Sequence, residues 1–142
     1  PQNPKTPKPQ NPKTPRIELM GSIKLIKMEE TKHHMINNFE FELPKKYKPI
    51  KMIGRGTFGA VISATNSTNG ESVAIKKLAK IEDVIDAKWV LREIIIMKNF
   101  THENILGLLD VVYIPKEGEV LGEIYLVTEL LETDLNWVIK SG

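Results

Sequence analysis

Three stretches of this chain have residue types and spacing suited to handling phosphate. The first is Gly54-Arg55-Gly56-Thr57-Phe58-Gly59-Ala60-Val61. Glycines spaced in this way let backbone amides approach a polyphosphate, because no side chain stands between them. A glycine-rich surface turn fits the same residues. In a dinucleotide-binding fold the motif joins a strand to a helix, with an acid about 20 residues further on. Here both flanks, 47–53 and 60–65, are strand-like, so a hairpin is expected.

The second stretch is Val73-Ala74-Ile75-Lys76. Strand alternation puts Lys76 on the face of Ala74 and Lys77 on the opposite face. A lysine beside an apolar, nucleotide-sized space can pair phosphate oxygens as a point charge. An edge-strand lysine in solvent is the alternative. The third stretch is Leu91-Arg92-Glu93-Ile94. Val90, Ile94 and Met97 recur at i, i+4 and i+7, which predicts a helix over 84–99 with one buried face. Glu93 falls on or beside that face. A carboxylate there needs a cation, because burying it alone is costly. Lys76 is the evident partner, and a solvated helix acid is the alternative.

The elements that must position these residues follow from the same patterns. Asn69-Gly70 is a hairpin turn signal just before Val73. Residues 105–113 and 123–130 are again strand-like, with a turn through Pro115 and Gly118 between them. The order is strand, strand, strand, helix, strand, strand. That predicts an α+β lobe: a five-stranded antiparallel sheet with one packed helix.

The N-terminal part has a different composition. Residues 1–8 and 9–16 are an eight-residue repeat differing at one position, and they hold six of the nine prolines. Proline excludes a helix or a central strand, so a solvated, partly polyproline-II tail is expected. It could serve as a ligand for a proline-binding domain, or offer Thr6 and Thr14 as Thr-Pro phosphorylation sites. A plain linker is the simpler alternative. Residues 17–46 read as a solvated linker, with a faint docking-peptide pattern at Arg16-Ile17-Glu18-Leu19 and a surface pair at His33 and His34. The expected division is a disordered tail and linker over 1–40, a lobe over 41–131, and a hinge exit with a helix start over 132–142. The start at Pro1 and the end within a helix-like pattern suggest a longer parent chain.

Composition sets outer bounds. The chain has 142 residues and a net charge of +2, with 41% hydrophobic residues and no cysteine. One packed core fits, and neither nucleic acid nor a membrane span is implied. The absence of thiols suits the cytoplasm or nucleus.

Together, the strand–glycine loop–strand, VAIK and a helix with LRE match the protein-kinase signature set. From about Phe41 onward the chain resembles the N-terminal, ATP-binding lobe of protein kinases. Within them it is most similar to the MAP kinase group, through FELPKKY, VAIKK, AKWVLREI, HENI at 102–105, GLLDV at 107–111 and YLVTELLETDL at 125–135. The resemblance implies that Ile53 and Val61 roof an adenine, with Ala74 beside them, and that residues 54–61 cover the phosphates. It implies that Lys76 contacts the α- and β-phosphates and pairs with Glu93. Thr128 would be the gatekeeper behind the adenine. Glu129 and Leu131 would offer backbone groups to its edge, and Asp134 would contact the ribose. Met97 and Leu108 match the hydrophobic spine, Arg92 an activation-loop phosphothreonine receiver, and His102 a structural turn histidine.

The implied activity is transfer of the γ-phosphoryl of ATP to Ser or Thr hydroxyls, with Mg2+. The implied partners are protein substrates and an upstream activating kinase. Trp89 departs from the group, which usually has an arginine there, and Phe58 replaces the commoner tyrosine. H-R-D, D-F-G and A-P-E do not occur in these residues, so the metal ligands and the base are expected outside the chain and the chain alone is expected to be inactive. A pseudokinase, or a scaffold module in which the proline tail matters most, is the rival reading.

Overall fold

The computed structural model describes residues 30–119 and 121–141. The proline repeat, Thr6, Thr14 and the stretch Arg16–Leu19 lie outside the described residues.

The first two elements correct the expected linker. Thr31–Ile36 (β1) and Phe39–Pro44 (β2) pair antiparallel, with Ile36 opposite Phe39. Between them Asn37 and Asn38 both have positive φ, 47° and 65°. Two consecutive left-handed residues match a type I′ turn, whose twist suits a two-residue hairpin. Asparagine tolerates that region better than most residues. Residues 31–44 are therefore a hairpin, where a solvated linker up to residue 46 and a disordered segment up to residue 40 were expected. The physical reason is the alternation Phe39, Phe41, Leu43, which gives the hairpin one apolar face. Phe41 and Leu43 are completely buried, each worth about 1.5–3 kcal/mol of hydrophobic stabilisation.

The main sheet has the expected five antiparallel strands. They are Tyr47–Gly56 (β3), Gly59–Asn66 (β4), Ser72–Leu78 (β5), Leu108–Ile114 (β6) and Glu123–Glu129 (β7), in spatial order β3-β4-β5-β7-β6. The Asn69-Gly70 signal marks a longer connection than a two-residue turn. Asn66 and Glu71 close it through a 2.8 Å backbone bond, with Gly70 at φ 78°. The helix Val84–Asn99 (α1) has the predicted bounds. Asp83 caps it, accepting from the Ile85 and Asp86 amides at 2.7 and 2.9 Å. A short helix, Leu135–Ser141 (α2), follows β7.

The sheet is covered on both faces. Ala87, Val90, Ile94 and Met97 of α1 pack on one face, against Leu78, Leu126 and their neighbours. The hairpin packs on the other, where Phe41 and Leu43 join Ile62, Ile75, Tyr125 and Val127 in the larger core. Strand register sorts the rest. Gly54, Val61, Lys76, Leu126 and Val111 form one cross-strand row. The adjacent row is Arg55, Ala60, Lys77, Tyr125 and Val112. Because side chains alternate, the first row faces α1 and the second faces the hairpin.

Successive residues of β2 meet the second row strand by strand. The Phe39 ring lies 4.8 Å from the Arg55 guanidinium, on β3. The Glu40 carbonyl accepts from Lys77, on β5, at 2.7 Å. Phe41 meets the Tyr125 ring, on β7, at 6.3 Å between centroids. The Glu42 amide donates to the Tyr125 hydroxyl at 2.9 Å. β2 thus crosses behind the row that carries Gly54, Val61 and Lys76.

Candidate functional site

The helix face of the sheet gathers most of the residues singled out above. Lys76 projects from β5 and its Nζ donates to Glu93 Oε1 of α1 at 2.8 Å. Both side chains keep some solvent contact, 30% and 39% exposed. A pair that open contributes about 0–1 kcal/mol to stability. Its consequence is positional: it holds the ammonium toward α1, on the face of the row that carries Val61 and Gly54. Two residues along β5, Ala74 lies opposite Thr128, and Thr128 lies opposite Leu108 on β6. Thr128 is buried, and its hydroxyl donates to the Glu129 carbonyl at 3.2 Å. Ala74, Lys76, Val61 and Thr128 therefore share one face of the sheet, on which Lys76 is the cation paired with the helix.

The glycine loop is the hairpin turn between β3 and β4. Its three glycines have different reasons. A Cβ on Gly59 would fall 1.9 Å from the Lys77 carbonyl oxygen, and its φ is 127°, so only glycine fits. A Cβ on Gly56 would meet nothing within 4 Å, and one on Gly54 only Val61 at 3.6 Å. These two leave the backbone open to a ligand. Thr57 and Phe58 form the tip, where Phe58 is 78% exposed. Its carbonyl accepts from the Ala79 amide at 3.3 Å.

Some expected residues stand differently. Arg55 and Ala60 belong to the row facing the hairpin, so toward the Lys76 side they present backbone only. Ile53 is the extra residue where the β3–β4 register shifts, and it is half exposed. Glu129 ends β7 with an exposed side chain, and Leu131 is exposed beyond it. Asp134 caps α2, accepting from the Trp137 amide at 2.7 Å. His102 accepts from the Asn104 amide at 3.0 Å and so shapes its own turn. Arg92 lies 4.9 Å from the ring of Trp89, the residue that departs from the group pattern.

The opposite face carries a polar network that sequence reasoning missed. Lys77 donates to Glu123 at 2.7 Å, with the Tyr125 and Phe41 rings within 6 Å. Tyr125 donates to Glu123, and Lys116 donates to Glu42 at 2.8 Å. Burial pushes the Glu123 carboxyl up, but bonds from Lys77 and Tyr125 outweigh it and hold it below the usual range. Glu42 is lowered likewise: burial opposes, and bonds from Lys116 and Thr31 prevail. Burial, and then the bond to Glu123, push the Tyr125 phenol well above its ordinary value. The one available signal was Asn37-Asn38 between two alternating segments.

A lysine held by a helix carboxylate beneath a glycine hairpin suits a nucleoside triphosphate. The magnesium that accompanies such a ligand is a different matter: among the described residues no three His, Cys, Asp or Glu are grouped to hold a metal. No helix among them is long and apolar enough to cross a membrane.

The protein kinase domain model matches residues 47–142. The chain belongs to the protein kinase family, and within it to the MAP kinase group. It is 45% identical over 104 residues to mitogen-activated protein kinase 4 of Arabidopsis thaliana, covering 72% of this chain and 27% of that protein. It is 43% identical over 112 residues to mitogen-activated protein kinase 6 of Oryza sativa subsp. japonica, covering 78% and 29%. Extracellular signal-regulated kinase 1 of Dictyostelium discoideum is 38% identical over 109 residues, with 76% and 20% covered. The chain thus spans less than a third of the length of these relatives.

Proposed function

We propose that these residues form the ATP-binding lobe of a serine/threonine kinase that moves the γ-phosphoryl group of ATP onto protein substrates. The observation that carries this reading is the 2.8 Å Lys76–Glu93 pair on the face shared by Gly54, Val61, Ala74 and Thr128. In this reading Lys76 holds α- and β-phosphate oxygens, and Glu93 keeps it in place. Ile53, Val61 and Ala74 enclose the adenine. Backbone groups of Glu129 and Leu131 meet its edge, and Asp134 meets the ribose. ATP supplies the transferable phosphoryl group and comes with Mg2+, whose ligands, like the catalytic base, lie outside these residues. Alone, residues 1–142 would not turn over.

The wider proposal follows the relatives: an upstream activating kinase, protein substrates bearing Ser or Thr, and a place in the cytoplasm, the nucleus or both. The proline repeat is proposed as a ligand for a proline-binding domain. The test is Lys76→Met in the complete gene product that carries this chain. Losing one preorganised charge contact should lower kcat by about 10²–10³, with an unchanged thermal unfolding midpoint. Turnover at the parental rate would overturn the assignment.

A further inference from the structure

Arg55 sits in the glycine loop, yet its side chain leaves the loop on the side away from Lys76. Its row neighbours are Ala60, Lys77 and Tyr125, all beneath the hairpin. There its guanidinium lies 4.8 Å from the centroid of Phe39. Phe39 directly follows the Asn37-Asn38 turn and packs at the margin of the larger buried core. It is anchored, so it cannot follow Arg55 if the loop moves. The loop has glycines at 54 and 56 and an exposed Thr57-Phe58 tip, and beyond the β3–β4 pairing that tip is held by the long 3.3 Å bond from the Ala79 amide to the Phe58 carbonyl.

We infer that the hairpin restrains the glycine loop through Phe39 and Arg55, positioning residues that draw the loop away from a nucleoside triphosphate. A ligand held by Lys76 lies on the other face of the sheet. Closing the loop onto it moves Arg55 away from Phe39 and parts the pair. An exposed cation–π contact is worth about two- to fivefold in an equilibrium. The tether therefore lowers nucleotide affinity by that factor. The nucleotide half of this inference rests on the function proposed above, whereas the effect on loop mobility stands without it.

The test uses the complete gene product and two variants. Phe39→Leu keeps an apolar side chain but removes the ring. Arg55→Ser changes an exposed residue and leaves the core untouched. Without nucleotide, each should speed amide hydrogen exchange at residues 56–59 by about two- to fivefold, with β5 unchanged. Calorimetry with the non-hydrolysable analogue AMP-PNP and magnesium should show each variant binding about two- to fivefold more tightly. The double variant should gain no more than the stronger single one. Unchanged loop exchange in both variants, or gains that multiply, would overturn the tether. So would weaker binding by Arg55→Ser alongside unchanged binding by Phe39→Leu, because Arg55 would then be reaching the phosphates. A parent protein that ignores AMP-PNP, while loop exchange still responds to both changes, would sink the nucleotide reading and leave the tether standing.

Discussion

Lys76 and Lys77 are consecutive on β5 and bind carboxylates on opposite faces of one sheet. Lys76 meets Glu93 of the helix at 2.8 Å, and Lys77 meets Glu123 of β7 at 2.7 Å. The first is the half-open pair of the candidate site. The second is less exposed and is ringed by Phe41 and Tyr125. One strand thus carries the cation to which the proposed function gives the phosphates and a cation that ties the hairpin face together, and substitution should separate them.

On the proposed function, Glu93→Ala in the complete gene product should lower kcat by less than Lys76→Met does, because Glu93 would act through the Lys76 that it contacts. The double variant should be little worse than Lys76→Met alone. Losses that multiply in steady-state kinetics would show that the two side chains act independently, despite their contact.

Gly59→Ala should destabilise the lobe while Gly56→Ala should not. An added Cβ at 59 meets the Lys77 carbonyl at 1.9 Å in a backbone region closed to L-residues. Such strain costs on the order of 1–3 kcal/mol before any steric relief. Denaturant unfolding of the two variants measures the difference, and equal midpoints would contradict the geometry.

Acid should loosen the hairpin. Glu42 and Glu123 are both lowered in the folded state. A lowered carboxylate gives stability that is fully present above its unfolded pKa, about 4.3, and is lost as pH falls through the folded value. The protection factor across residues 31–44, which compares exchange with that of an unstructured peptide at the same pH, should therefore hold from pH 7 to 5 and fall below about 4. Glu42→Gln with Glu123→Gln should flatten that dependence, and an unaltered profile would remove these carboxylates as its cause.

Thr128→Phe should fill the space beside Ala74 and Leu108 on the helix face. Inhibitors that reach past Thr128 should bind more weakly, while KM for ATP changes little. Equal inhibitor affinity in variant and parent would show that Thr128 does not line that space.

Much of the lobe was legible because its signals are local. The helix over 84–99 could be read from Val90, Ile94 and Met97, and its partner for Lys76 from where Glu93 falls among them. Alternation correctly sent Lys77 to the far face. It could not say what waits there, because Glu123 lies 46 residues away and Glu40 lies 37 residues back. The hairpin was missed for a related reason. Asn37-Asn38 is a weaker turn signal than Asn-Gly, and charged residues dilute the apolar face of Phe39, Phe41 and Leu43. Likewise, three glycines in one motif look alike in sequence, and only the Lys77 carbonyl sets Gly59 apart.

The crossing of β2 over the sheet also sets an order of events during synthesis. The Glu42 amide waits for the Tyr125 hydroxyl, 83 residues later. At a translation rate of about 5–20 residues per second, that delay is roughly 4–17 s. Until β7 emerges, Phe41 and Leu43 lack Tyr125 and Val127 as core neighbours and present an apolar strand to solvent. Ribosome-bound chains arrested before residue 123 should therefore be cut by protease within 31–44. Chains whose β7 has cleared the exit tunnel should resist.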